Sequence, residues 1–255
     1  MIASRFTISI LFSLIFLPII GLCQGGPPLV TDDPGTPGDG KWEINTAVQW
    51  AESHPSSVVQ FPLFDINYGY GDHIQLNLNT SLATVKDHEA GQPSSQTSGL
   101  SLASIAVKWR FVDEETSGIS ISTYPRYDFH HSLASDDPLV NAPGNRFFIP
   151  IEFSKEFGKF GVNPEIGYAS YSEFTSEWVY GLATSYAFEK EKEILFEVHG
   201  RTRVTGSEHE FQYNIGTRYL LAEYCSFIGS AGKTVSAYSD GSIAWNVYAG
   251  FQFRL

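Results

Sequence analysis

Residues 242–255 read SIAWNVYAGFQFRL, and apolar or aromatic side chains occupy every second position of this stretch. The apolar face carries Ile243, Trp245, Val247, Ala249, Phe251, Phe253 and Leu255. Asn246, Gln252 and Arg254 lie on the opposite face. This alternation is typical of a strand with lipid on one side and water on the other. A soluble protein seldom ends on such a strand, because an exposed apolar edge invites aggregation. The stretch therefore predicts a closed β-barrel in an outer membrane.

The rest of the chain repeats the pattern. We predict about twelve strands, at 41–50, 58–70, 73–84, 99–112, 118–129, 146–155, 159–171, 176–188, 193–204, 209–221, 224–235 and 242–255. Short connections alternate with longer ones, notably 85–98 and 130–145, as periplasmic turns alternate with extracellular loops. The expected fold is all-β, a transmembrane antiparallel up-and-down β-barrel. An even number of strands would place both chain ends on the periplasmic side.

Two predicted strands are irregular. In 99–112, Leu100 and Ile105 fall on opposite parities although both are apolar, which predicts a bulge or a strand end beyond the membrane. In 224–235, Lys233 shares its parity with Phe227 and Val235, so this is the weakest strand prediction.

The N-terminal region has the form of a secretion signal. Arg5 precedes an apolar run over 6–22, and Gly21 and Cys23 supply small residues for cleavage before Gln24. We expect a signal peptide at 1–23, a periplasmic segment at 24–40 and an outer-membrane barrel at 41–255, reached after secretion through the inner membrane. An uncleaved anchor and a lipidated Cys23 are the alternatives.

Composition narrows the classes of function. The net charge of -12 argues against nucleic acid as a partner, because phosphate binding needs clustered Lys and Arg. Cys225 would be the one cysteine of the mature chain, which excludes an internal disulfide and a cysteine metal cluster. The five tryptophans are more typical of interfacial girdles than of stacking sites for sugars or bases.

Charged side chains of both signs fall on the parity that would face the lumen. These candidates for a lumen or selectivity site are Glu43, Asp65, Arg126, Asp128, Glu152, Glu165, Glu197, His199, Arg201, Arg203, Arg218 and Arg254. They could line a narrow hydrated pore and set its selectivity, or pair across the barrel as a structural network.

The sequence gives little support to a catalytic or metal-binding site. His199 as a catalytic base, a metal at His130 and His131, and calcium at Asp32, Asp33 and Asp39 are the specific alternatives. None has the residue spacing that the chemistry needs, and no serine elbow of the GxSxG kind occurs. We therefore expect no catalytic residue, metal or cofactor.

Residues 31–45, TDDPGTPGDGKWEIN, resemble the opening of a bacterial outer-membrane family known as phenol meta-pathway degradation proteins, often called transporters. The residues that fit are Thr31, Asp32, Asp33, Pro34, Gly35, Pro37, Gly38, Trp42 and Glu43. The resemblance implies an outer-membrane barrel linked to aromatic or other hydrophobic compounds, and it transfers no catalytic residue. Leu255 departs from the Phe or Trp that more often ends a barrel-assembly signal, although Phe253 partly restores that signal.

The functional expectation is a passive channel for small, aromatic or hydrophobic solutes. Its partners would be outer-membrane lipids, the barrel-assembly machinery at the C-terminal strand, and the solute. One alternative is a structural or surface-binding barrel whose loops 85–98 and 130–145 contact partners. A membrane-embedded lipid-modifying enzyme is the third hypothesis.

Overall fold

The structure is a computed structural model that describes residues 25–53, 56–87, 95–129, 144–238 and 244–255. The predicted signal peptide, Cys23, the His130-His131 pair and most of the 130–145 loop lie outside these residues.

The described chain consists almost entirely of antiparallel strands. Their bounds are β1 Trp42–Ser53, β2 Ser56–Tyr70, β3 Ile74–Asp87, β4 Ser95–Val112, β5 Ser120–Thr123, β6 Arg126–Phe129, β7 Arg146–Phe157, β8 Phe160–Tyr171, β9 Glu177–Glu189, β10 Lys192–Arg203, β11 His209–Ala222, β12 Cys225–Ser236 and β13 Trp245–Arg254. One short helix, α1 Glu114–Ser117, joins β4 to β5 among these residues. No helix in the described ranges is both long and apolar enough to cross a membrane.

The strands close on themselves in sequence order. Apart from β5 and β6, which do not pair with each other, each strand pairs with its neighbours along the chain, and β1 pairs with β13. The two ends are joined because Trp42 N donates to Leu255 O at 2.8 Å and Leu255 N donates to Trp42 O at 2.9 Å. Since β5 and β6 follow one another between β4 and β7, the described strands form a twelve-position barrel. The predicted fold is confirmed.

Pro125 explains why one wall position is split into β5 and β6. Proline has no N–H group, so it cannot donate to a sheet ladder. Its carbonyl still accepts from Val107 N at 3.1 Å, which keeps β4 connected to this part of the wall.

The turns on the side of the chain ends are tight. Gly71 and Gly158 adopt φ values of 62° and 67° between β2 and β3 and between β7 and β8, a conformation that side chains rarely take. On the other side, the predicted 85–98 loop is too long. Residues 85–87 and 95–98 belong to β3 and β4, because paired strands extend beyond the stretch that the alternation marked.

The outward face is apolar, as the alternation predicted. Trp109, Trp178 and Trp245 are about half exposed near strand ends, and Ile215 is 55% exposed near the middle of β11. Lys233 also faces outward, near the end of β12, with its ammonium 4.8 Å from the Trp245 ring. A lysine at the membrane surface can keep its charge in water in this way. The 224–235 strand is confirmed.

A bulge resolves the irregular parity of β4. Thr80 pairs with Ala103 and Leu82 pairs with Leu100, so β4 carries one extra residue there. Leu100 and Ile105 consequently both point outward, with 44% and 50% of their surface exposed. The bulge hypothesis is confirmed.

Candidate functional site: the barrel lumen

The N-terminal segment, residues 25–40, enters the barrel. At the rim, Asp39 accepts from Gly71 N at 2.8 Å and Thr36 donates to Asp72 O at 2.8 Å. Farther in, Thr31 is fully buried and Asp33 nearly so. The inner part of the segment, for which the sequence predicted a periplasmic position, therefore lies among lumen side chains, which supply acceptors and donors that its backbone would otherwise find in water.

Glu197 of β10 holds the buried part of the segment. Its carboxylate accepts from Val30 N at 3.0 and 3.2 Å, and also from Thr31 N. Asn214 of β11 donates to the same carboxylate. A Cβ at Gly181 would overlap the Thr31 side chain, so the glycine leaves the room that lets the segment reach the wall.

Lys108 of β4 holds the segment from another side of the lumen. Its ammonium lies 3.0 Å from Asp32 Oδ1 and also donates to Asp33 O. Glu152 Oε2 lies 3.7 Å from the same ammonium, and the ring of Tyr124 lies 4.6 Å from it. Lys108 is 2% exposed, so this charge is compensated inside the barrel.

Further wall strands complete the docking site. Arg218 of β11 donates to Pro27 O at 3.3 Å, and Ser230 of β12 donates to Pro28 O at 2.6 Å. Leu29 packs against Ala183 and Leu195. The segment thus crosses the lumen from β4 to β12.

These contacts leave no calcium site at the three aspartates. Asp32 pairs with Lys108, Asp33 accepts from Gly35 N, and Asp39 accepts from Gly71 N. Among the residues described, no group of three His, Cys, Asp or Glu side chains is placed to hold a metal.

A separate amide network covers the wall of β1 to β3. Asp65 accepts from Asn45 at 2.9 Å, from Asn77 at 2.5 Å and from Asn79 at 3.2 Å. Nearer the rim, Arg254 Nε lies 3.2 Å from Glu43 Oε2, across the seam where β13 meets β1.

The other half of the lumen, toward the predicted extracellular side, carries arginines beside acids. Asp128 lies 3.1 Å from Arg126 Nε and 3.0 Å from Arg146 Nη1. Arg201 lies 2.6 Å from Glu210 and 3.8 Å from Glu177. Positively and negatively charged side chains therefore occur at the same height in the barrel wall.

A second arginine cluster stands next to Tyr238. Arg203 pairs with Glu208, and the guanidiniums of Arg203 and Arg201 lie 4.3 and 5.5 Å from the Tyr238 ring. Burial, with Glu177 nearby, raises the pKa of Tyr238. The ring therefore offers the guanidiniums a neutral aromatic face.

His199 lies within the influence of the arginines Arg201, Arg146 and Arg126. Its cross-strand partners are Gly181 and Gln212, and neither is a serine or threonine.

The twelve predicted lumen residues fall into separate groups rather than one ring. Glu197, Glu165 and Arg218 contact the N-terminal segment directly, and Glu152 does so through Lys108. The sequence reading missed Lys108 and Arg146. Lys108 was hidden by the bulge in β4, whereas Arg146 opens β7 at a loop boundary, with a parity that matches Glu152.

Comparisons with known proteins agree with the fold. No family model matches the chain, and no curated protein matches it either. The structure is similar to an outer membrane channel from Pseudomonas putida F1, with a TM-score of 0.69 and 9% identity over 88% of this chain and 98% of that chain. It is also similar to the NanC porin, with a TM-score of 0.58 and 6% identity over 82% of this chain and 98% of that one. The KdgM porin gives a TM-score of 0.54 and 9% identity over 83% and 98%. At these identities the likeness establishes the barrel fold.

Proposed function

We propose that this chain is an outer-membrane conduit for small solutes, closed in this conformation by its own N-terminal segment. The observation that carries the proposal is the combination of an apolar outer wall with a charged lumen crossed by a docked segment. A lipid-facing exterior requires a membrane, and a polar interior provides a hydrated path once the segment moves. That an outer membrane channel and two porins share the fold supports this proposal.

The mechanism is passive diffusion. The charged lumen residues would act in two ways: Glu197, Glu165, Lys108 and Arg218 hold the segment, and the arginine groups of the other half select among solutes. The resemblance of residues 31–45 to the phenol meta-pathway family supports aromatic or hydrophobic solutes. No step calls for a catalytic residue, so we propose a protein without enzymatic activity that depends on outer-membrane lipids and on assembly through β13.

A structural barrel without transport is the second candidate. The full burial of Thr31 favours it, since a segment docked at many points could remain in place permanently. The two functions differ in one measurable quantity, which is the rate of segment release.

Planar bilayer recordings of the refolded mature chain test the proposal. We expect discrete conductance steps with short open times, and larger, longer steps after deletion of residues 25–36. Far-ultraviolet circular dichroism and heat-modifiable gel mobility would verify that both proteins form barrels. Folded barrels that stay silent with and without the segment would refute the conduit and favour the structural function.

A further inference from the structure

We propose that the lumen binds small aromatic carboxylates at a site formed by Arg126, Arg146 and Phe148, which we call the arginine clamp. The proposal deepens the conduit function, since it names a class of solute that the lumen would select. It depends on that function only for the solute's onward passage, because the clamp lies in the half of the barrel toward the predicted extracellular side.

The clamp holds two guanidiniums on a single carboxylate. Asp128 is the ion-pair partner of both Arg126 and Arg146. Arg126 Nε lies 3.1 Å from Asp128 Oδ1, yet neither atom makes a hydrogen bond, so this contact is an ion pair only. Arg146 Nε is likewise buried without an acceptor. The clamp therefore pairs two guanidiniums with one carboxylate, and two of its buried N–H donors have no hydrogen-bond acceptor.

Arg201, outside the clamp, has the opposite ratio of carboxylates to guanidiniums. It pairs with Glu210 through both Nε, at 3.0 Å, and Nη2, at 2.6 Å, and Glu177 lies nearby. Two carboxylates thus serve one guanidinium there, whereas one carboxylate serves two guanidiniums at the clamp. An incoming carboxylate would find compensating charge at Arg126 and Arg146.

Phe148 fixes the orientation of the clamp. Its ring lies against Gly167, where a Cβ would overlap it, and packs with Ala169 and Val179. The guanidinium of Arg146 lies 4.6 Å from the ring centroid and that of Arg126 lies 5.5 Å from it. Guanidiniums that are held over an aromatic ring lose less conformational entropy when they bind a ligand. Their planar N–H donors also match the geometry of a carboxylate.

The solute class follows from the surroundings of the clamp. Tyr171 lies 5.9 Å from the Arg146 guanidinium and makes an edge contact with Phe174, so aromatic surface adjoins the charge. The side chain of Arg126 is 31% exposed, which leaves it accessible from the lumen. A planar ring that bears one carboxylate can stack on the aromatic or guanidinium faces while its charge meets the clamp.

Equilibrium dialysis against the refolded mature chain in detergent micelles measures this binding, with benzoate as the probe. Cyclohexanecarboxylate keeps the charge but not the aromatic ring, and benzyl alcohol keeps the ring but not the charge. Arg146→Gln removes one guanidinium, and Arg146→Lys retains the charge without the planar donors. Lys155→Gln is the matched control, since it removes one positive charge from the same strand.

We expect saturable benzoate binding, weaker binding of cyclohexanecarboxylate and none of benzyl alcohol. Arg146→Gln should weaken benzoate binding about tenfold or more, as the loss of a charge-assisted bond predicts. Arg146→Lys should be intermediate, and Lys155→Gln should bind like the unaltered chain. If Arg146→Gln does not refold, Arg126→Gln and Arg146→Lys test the same clamp.

Three results would overturn the clamp: no saturable benzoate binding, equal affinity for benzyl alcohol, or equal affinity in the Arg146 variants and Lys155→Gln. Because dialysis needs no transport, the outcome is independent of conductance. A chain that binds benzoate but never conducts keeps the site and loses the conduit. A chain that conducts without binding benzoate keeps the conduit and loses the site.

Discussion

Single residues decide whether the lumen can accept a segment of chain. Gly181 lies opposite His199 in the wall, and only its lack of a side chain leaves room for Thr31. Gly69 serves the same purpose at the rim, where a Cβ would overlap the backbone of Gly38. Neither glycine has a positive φ, so close approach rather than turn geometry explains both.

Substitution of Glu197 is the most direct test of how a single side chain anchors the N-terminal segment. Glu197→Gln replaces one acceptor oxygen with a donor, so the backbone of Val30 and Thr31 loses part of its anchor. We expect segment docking to weaken by about 1.5–3 kcal/mol, the usual worth of a hydrogen bond to a charged group. Planar bilayer recordings should then show an open fraction at least about tenfold higher.

The control for this prediction is Glu177→Gln. Glu177 is also a buried lumen glutamate, but its described partners are Tyr171 and Arg201 and not the N-terminal segment. An equal rise of the open fraction in both variants would contradict the assignment of Glu197 as the anchor.

At the scale of elements, the strands follow their alternation closely. β10 alternates between Ile194 or Phe196 outside and Glu197 or His199 inside, and the predicted bounds differ from the observed ones by one residue. The N-terminal segment has no such periodicity. Its Pro and Gly residues predicted turns, but its position depends on acceptors and donors spread over β4, β8, β10, β11 and β12.

One face of β11 is assigned to the lipid. A charge placed on that face should therefore lower the free energy of unfolding by an amount that depends on its depth in the membrane. Ile215→Arg would place a charge near the middle of the strand and should destabilise the barrel by about 2–4 kcal/mol. Leu221→Arg, close to the end of β11, should cost about 0–1 kcal/mol. Unfolding from phospholipid vesicles in guanidinium chloride measures both values. Similar losses in the two variants would argue against a membrane spanning this wall.

The whole molecule has a defined topology because its ends meet. With β1 paired to β13, the turns between β9 and β10 lie on the same side as Trp42, and the β10–β11 connection lies on the opposite side. In an outer membrane we expect the side of Trp42 to face the periplasm and the opposite side to face the exterior.

Cysteine labelling of whole cells tests this orientation. In a Cys225→Ser background, we expect Ser207→Cys, exposed between β10 and β11, to react with a membrane-impermeant maleimide. Lys190→Cys, exposed between β9 and β10, should react only after the outer membrane is permeabilised. The reverse pattern, or labelling of both on intact cells, would refute the assigned topology.

The sequence predicted the barrel, about twelve strands, the two faces of most of them and an irregularity in β4, either a bulge or a strand end. Strand alternation is a local property, and within a regular strand one register fixes the face of every side chain. The tertiary structure alone decided which charges meet: Lys108 with Asp32, Glu197 with the backbone of Val30 and Thr31, and Asp128 with two arginines. Except for Arg126 and Asp128, which lie two residues apart in β6, these contacts join different elements, and their geometry exists only once the sheet has closed and the lumen has a fixed width.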